Sequence, residues 1–262
     1  MKIIKHSVVL PSVGKMLIDF HNKSADLYDI YSKCNEFERQ KEIKHLGLIA
    51  TVFESAAHSR YEYLMLQCSL TDIIDKLYPG SSNLAQGKLS LGSKKYFGND
   101  LLKSWFMLSN FGHLFQTIGD EKSMLIFASK QKGFVSTLLT PILDEDLVIW
   151  SKEIINDFSY TKFHHILSLR RIYKEVRDQT LKNELIDIYK LLLLPKNKIK
   201  QKFNEDKLLQ LRRLYNTIRA ITIVTIDGHY TSFPVSIDLM NTLISMDTVE
   251  HTYTDKFIFD SI

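Results

Sequence analysis

Residues that break helices are scarce here: five prolines and ten glycines are spread through 262 residues. Sandwiches and barrels need frequent tight turns and draw on both residue types, so their shortage favours a mainly α fold with long helices. The apolar spacing agrees over most of the length. Asn35 stands where it can cap a helix, with Glu38 three residues on and Phe37, Ile43 and Leu46 supplying a face, and Gly47 ends it. Ser59 can cap the next, with Glu62 three residues later, and Tyr63, Leu66, Leu70, Ile73, Ile74 and Leu77 continue at helical period until Pro79-Gly80. Asn99 or Asp100 opens a helix bearing Ser109, Asn110 and His113, with Asn110 and His113 spaced to share a face. Asp120 and Glu121 fall in the first turn of another, where the helix dipole favours carboxylates. Asp144-Glu145-Asp146 starts a helix through Ile154, residues 161–194 give one or two amphipathic helices ended by Pro195, and residues 206–221 give one more.

Elsewhere the pattern departs from plain helix. Residues 1–15 read as irregular, and residues 15–33 as one helical face or two short helices broken near Asn22. Residues 80–99, rich in glycine and serine, read as a surface loop or a disordered insertion. The β-branched run 221–226, followed by Asp227-Gly228, is the one good strand-and-turn signal and predicts a small β-hairpin near residues 221–235. A last helix, capped by Ser236 or Asp238, runs through Met246. Asp72 and Asp75 read as surface carboxylates of their helix.

Composition bounds the class. Hydrophobic residues at 45% and charged residues at 24% are ordinary for a globular protein that buries a full core. No run approaches the ~18 apolar residues that would span a bilayer. The basic start lacks the apolar core of a signal peptide. Two cysteines, Cys34 and Cys68, make neither a disulfide framework nor a zinc spacing, and read as buried thiols. The expectation is a cytoplasmic protein with no membrane contact. Charge is uneven: residues 1–159 balance, residues 160–219 hold 15 basic against 6 acidic, and residues 220–262 hold 1 against 6. A basic segment of this kind is either a surface for a polyanion such as nucleic acid, or a solvated face.

Two strings carry more information than these statistics. The first, 46–63, contains Leu46-Gly47, Phe53, His58, Arg60, Tyr61 and Glu62; the second, 108–113, contains Leu108, Gly112 and His113. Together they resemble the HD superfamily of phosphohydrolases, and within it the deoxynucleoside triphosphate triphosphohydrolase branch, over roughly residues 35–130. That branch has a leucine-glycine turn, a phenylalanine and an H-x-R-F-E-H string, then H-D-x-G-H some fifty residues later. The resemblance implies a helical domain holding a divalent cation on histidine and aspartate, where the ion lowers the pKa of a bound water and polarises a phosphoryl group. The matching ligand positions here are Tyr63, Ser109 and Asn110. A phenol, a hydroxyl and an amide supply neither imidazole nor carboxylate. Ile118 stands where the branch keeps a further catalytic histidine, and His45 where it has glutamine. By the same resemblance Arg60 and His113 lie beside substrate phosphate, with a planar guanidinium suited to an anion.

Each residue also has a plainer role. Arg60 can form a salt bridge to Glu62, Asp120 or Glu121, His113 can rest on a core carboxylate, His58 can be structural, and Glu62 can be a cap. Adjacent His164 and His165 point to different sides of a helix, which makes a metal pair improbable. Asp227 and Asp238 are the candidates for a surviving fourth-ligand aspartate.

The sequence therefore predicts an HD-like helical domain over residues 1–160. A basic helical segment with a hairpin and acidic tail follows over 161–262 and packs on the first. Three functions stay open. One is a pseudoenzyme: a catalytically inactive scaffold or regulatory subunit, needing no cofactor, which works with protein partners or in a larger assembly and binds a nucleotide or phosphate through Arg60, His113, His58 or Asp120 without hydrolysis. The second is an active phosphohydrolase holding a divalent metal on a non-standard set such as His58, His113, Asp120 and Asp227. The third is a nucleic-acid-binding module using residues 162–219.

Overall fold

The computed structural model describes residues 2–47, 58–77, 88–200 and 202–230. Its described residues form ten α-helices and two antiparallel hairpins, so the chain is mainly α with small β elements.

The first hairpin corrects the helical reading of the N-terminal residues. Strand β1 (Ile3–Leu10) pairs antiparallel with β2 (Gly14–His21), Ile3 lying opposite His21 and Leu10 opposite Gly14. Val8, Leu10, Ile18 and Phe20 are buried, whereas Val9 and Leu17 are exposed. That alternation is the period of a strand, and Leu17 with Phe20 mimicked helical spacing only because they are three apart. The hairpin docks through His6, whose ring nitrogens meet the hydroxyls of Tyr61 (2.9 Å) and Tyr28 (3.0 Å) while the ring stacks on Phe37.

Helices α1 (Asn22–Lys33) and α2 (Glu36–Glu42) follow, then α3 (Arg60–Leu77). Asn35 makes no side-chain cap at α2, but Ser59 does cap α3, its Oγ accepting from the Glu62 amide at 3.3 Å. The second hairpin, β3 (Lys88–Leu91) with β4 (Lys94–Phe97), stands where a loop was expected, with Leu89, Leu91 and Tyr96 turned inward. Helix α4 (Gly98–Asn110) is buried along its whole length and is the axis of the fold, packed by α1 and α3 and by three later helices. Its Lys103, with no exposed surface, forms an ion pair with Asp72 of α3 and donates to the Asp19 carbonyl at 2.5 Å. Asn99 donates to both Asp72 and Asp75. Asp72 is thus a core residue, because the hairpin and α4 cover that face of α3.

The remaining helices are α5 (Ile118–Lys130), α6 (Lys132–Leu139), α7 (Glu145–Asn156), α8 (Tyr160–Glu175), α9 (Gln179–Leu193) and α10 (Glu205–Tyr230). Asp144 caps α7, accepting from the Leu147 amide, and α9 ends before Pro195. Helices α8, α9 and α10 all pack on α4, so the basic part of the chain shares its core.

Helix α10 overturns the hairpin expected near 221–235, within residues 221–230; residues 231–235 lie outside those described, as do Ser236, Asp238 and Met246. Leu214, Tyr215, Ile218, Ile221, Thr222 and Ile226 are buried at helical period against α3 and α4. That burial outweighs the modest strand preference of a β-branched run. Thr222 donates its hydroxyl to the Ile218 carbonyl at 2.7 Å, and Gly228 passes without a turn.

No described helix is long and apolar enough to cross a membrane. Cys34 and Cys68 are unpaired thiols, Cys68 fully buried and Cys34 partly so.

Candidate functional site

The C-terminal end of α4 is held from three sides. Glu36 of α2, without exposed surface, binds Arg39 and Arg171, each at 2.5 Å. Arg39 donates to the carbonyls of Phe111 and His113, Arg171 also reaches the Phe111 carbonyl, and Gln40 donates to that of Asn110 at 2.6 Å. Cationic donors on the last carbonyls of a helix satisfy both its unpaired oxygens and its dipole. They hold the turn 110–114 in place. Gly112 lets that turn touch α8: a Cβ there would stand 2.2 Å from the His164 carbonyl oxygen and 2.3 Å from the Ser168 nitrogen.

Around this turn the polar side chains form a closed ring. The guanidinium of Arg219 on α10 acts electrostatically on the Tyr63 hydroxyl and lies 5.5 Å from the Tyr215 ring. The Tyr215 hydroxyl meets Ser109 Oγ at 2.7 Å, Ser168 Oγ reaches the Ser109 carbonyl at 3.5 Å, and the Tyr189 hydroxyl, which Ser109 and Ser168 influence, lies 2.7 Å from His165 Nδ1. His165 abuts His164, His164 stacks on His113 with ring centroids 4.2 Å apart, and His113 Nδ1 lies 2.7 Å from Glu121 Oε1. The charge of Glu121 acts on Arg60, whose guanidinium lies 5.5 Å from the Tyr63 ring and completes the circuit. Six helices contribute, α3, α4, α5 (Glu121), α8, α9 and α10, with His113 from the turn.

Burial decides the charges inside it. Desolvation, with Arg60 nearby, holds His113 far below the usual imidazole range, and desolvation does the same to His164 and His165. Glu121 is pushed up to about 7 by burial, which the positive field of Arg60 only partly offsets. Arg60 itself is drawn down to about 10 by burial and stays protonated near neutrality. Two guanidinium groups thus face one partly ionised carboxyl and neutral imidazoles. The site has net positive charge, and Arg60 Nε has no hydrogen-bond partner among the described residues.

A second grouping adjoins the first. An antiparallel bridge between Lys44 and Ser59 brings the chain before and after the interval 48–57 together, with the His45 amide on the His58 carbonyl (3.0 Å) and the Arg60 amide on the Ile43 carbonyl (2.8 Å). The rings of His45 and His58 sit 5.1 Å apart, His45 also stacking on Tyr63 and His58 on Tyr230. Asp227 Oδ1 approaches His58 Nε2 to 3.1 Å.

The residues singled out from sequence therefore separate. Tyr63 and Ser109 converge on the Arg219–Tyr215 pair, while Asn110 donates to the Phe106 carbonyl and, at 3.4 Å, to Gln67 one turn beyond Tyr63. Asp120 accepts from the Gln116 amide at 2.9 Å, and Glu62 accepts from the Tyr230 hydroxyl. The set His58, His113, Asp120 and Asp227 is not assembled: His58 joins Asp227 with His45, and His113 joins Glu121 with His164. The reason is topological, since the 110–121 turn faces α8 whereas Ser59 and its neighbours face the end of α10. Asp238 lies outside the described residues. Glu121, His164, Tyr215 and Arg219 were not foreseen as one site; no sequence spacing links α4, α8 and α10.

Several of the basic residues of 162–219 are engaged within the fold. Arg170 caps the carbonyls of Thr137 and Leu138, Arg212 those of Leu191 and Leu194, and Lys190, Lys196 and Lys200 pair with Asp144, Glu205 and Asp146.

No protein-family model matches the chain, and no curated protein matches it. Among solved structures, a hypothetical protein from Aquifex aeolicus is similar at 15% identity and a TM-score of 0.31, over 97% of this chain and 73% of that one. A likeness at that level assigns neither fold nor function.

Proposed function

We propose that this chain is a catalytically inactive HD-like domain, serving as a scaffold or regulatory subunit, that takes up a phosphate or nucleotide without hydrolysing it. One observation carries the reading: from α10, Tyr215 is hydrogen-bonded to Ser109 and the Arg219 guanidinium acts electrostatically on Tyr63, two of the three positions that the resemblance matches to metal ligands. A guanidinium is a fixed cation, so the side chains there already have their positive partner and repel a second. Three altered positions, none an imidazole or carboxylate, leave no anionic cradle for an ion that activates water. The net positive charge of the ring, with Arg60 Nε turned to no described acceptor, suits an anionic ligand.

The nucleic-acid reading draws less support, because Arg170, Arg171, Lys190, Arg212 and Arg219 serve internal carbonyls, carboxylates and phenols.

The test is a panel of nucleoside triphosphates with the purified protein and manganese or magnesium, read both by release of phosphate or triphosphate and by thermal shift. The expected result is no release, with a nucleotide-dependent rise in Tm that Arg60→Met abolishes. Release that vanishes in His113→Ala overturns the inactive reading, and no shift with any nucleotide overturns the anion site.

A further inference from the structure

The grouping beside the ring points to a ligand of a different kind. We propose that His45, His58 and Asp227 bind one divalent transition-metal ion, clipping the end of α10 to the bridged strands that flank residues 48–57. This goes beyond the proposed function and does not depend on it.

The site is built by backbone before any ion arrives. The Lys44–Ser59 bridge makes His45 and His58 the next pair along, and the His45 amide bonded to the His58 carbonyl fixes their register. The two rings are thereby presented side by side, and one ligand atom from each, with one carboxylate oxygen of Asp227, lie within 4.8 Å of one another. Both imidazoles are buried, His58 at 1% exposure and His45 at 7%. Buried imidazole nitrogens normally have a partner. Neither ring nitrogen of His58, nor Nδ1 of His45, has a hydrogen-bond partner among the described residues. His58 Nε2 and Asp227 Oδ1 are 3.1 Å apart yet do not meet hydrogen-bond geometry. That spacing suits two atoms sharing an ion instead, since ligands at ~2.0–2.1 Å in a tetrahedron stand about 3.3 Å from each other.

The donor set selects the ion. Two neutral imidazoles and one carboxylate suit zinc, cobalt, nickel, manganese or ferrous iron, whereas magnesium and calcium take oxygen ligands. Three protein ligands leave at least one position for water. Asp227 keeps 27% of its side chain exposed, which gives the ion a route in. The grouping of His113, Glu121 and His164 is the internal control. Its Nδ1–Oε1 contact of 2.7 Å is a hydrogen bond, its two imidazole rings stack on each other, and the charge of Arg60 already acts on Glu121.

The experiment strips the full chain with a chelator, dialyses it, and titrates zinc and cobalt(II) separately by calorimetry and by the visible absorption of cobalt. The expected result is one equivalent bound, a rise in Tm with zinc, and affinity at least ~10–100-fold weaker in Asp227→Asn and in His45→Ala. Asp227 is partly exposed on its helix, so Asp227→Asn reads the site without emptying the core. His113→Gln leaves binding unchanged. Absence of binding at millimolar zinc and cobalt overturns the proposal, as does binding that Asp227→Asn and His45→Ala leave intact, or that only His113→Gln removes. Metal-loaded protein that hydrolyses nucleotides leaves this site standing and ends the inactive reading; failure to bind metal ends this site alone.

Discussion

His113 Nδ1 lies 2.7 Å from Glu121 Oε1, eight residues along the chain, with both side chains buried beneath α8. Burial favours the uncharged forms of both, raising the carboxyl to about 7 and lowering the imidazole. The two shifts act on stability with opposite sign. Because the folded Glu121 pKa exceeds its ordinary 4.5, the contribution of Glu121 is full below that value and is lost as pH rises through about 7. His45, His113, His164 and His165 have folded values depressed below 6.5, so theirs is full above 6.5 and lost as pH falls. Four imidazoles outweigh one carboxyl on the acid side. Tm should therefore peak near pH ~6.5–7 and fall steeply towards pH ~5. In Glu121→Gln the small decline between pH ~6.5 and ~7 should vanish and the acid limb should steepen, because Glu121 no longer opposes the imidazoles there. A flat acid limb in the wild type contradicts the burial of the imidazoles.

Arg219 links α10 electrostatically to Tyr63 of α3 and Tyr189 of α9. Arg219→Met leaves the Tyr63 hydroxyl without its guanidinium and should cost about 1–3 kcal/mol in urea denaturation. Guanidinium at low millimolar concentration should restore part of the lost Tm in Arg219→Ala but not in the wild type. No loss in either variant means that Tyr63 and Tyr215 do not depend on that cation.

The Lys103–Asp72 pair tests the core independently. Removing one partner leaves a buried charge, and Asp72→Ala or Lys103→Met should each lower stability by about 3–5 kcal/mol. The double substitution Asp72→Leu with Lys103→Met should cost far less than the sum. Additive losses would show that each group is stabilised by other partners.

Two glycines give opposite expectations. In Gly112→Ala the new Cβ meets the backbone of His164 and Ser168 at 2.2 and 2.3 Å, so α4 and α8 must part and the protein should lose more than about 3 kcal/mol or fail to fold. Gly133 lies within α6 with nothing inside 4 Å of its would-be Cβ, and Gly133→Ala should be neutral or stabilising by about 0.5–1 kcal/mol. Thermal melts of the two variants side by side decide it.

Much of the helical frame was legible because its signals are local. Ser59 with Glu62, Asp144 with its acidic first turn, and Pro195 as a stop each act within one turn of helix. The hairpins were not, since strand alternation in β1 and β2 covers eight residues each and overlaps helical spacing at Leu17 and Phe20. The 221–226 run misled because its fate was settled by burial against α3 and α4, which no local window contains. At the site, Arg60, His58, His113 and Asp227 were named from sequence. Glu121 was one of three carboxylates weighed for Arg60, but the grouping of His58 and Asp227 with His45, and of His113 and Glu121 with His164, joins separate elements that only packing brings together.

Helix α10 brings Arg219 to Tyr63 and Tyr215 to Ser109, and the inactive reading requires that this keeps a metal ion away from Tyr63, Ser109 and Asn110. Anomalous diffraction from crystals soaked in manganese, and separately in zinc, tests it most directly. The expected result is no ion at Ser109 Oγ or Asn110, with the Arg219 guanidinium still on Tyr63. A fully occupied ion coordinated by Ser109, Asn110 or Tyr63, with Arg219 swung aside, contradicts it.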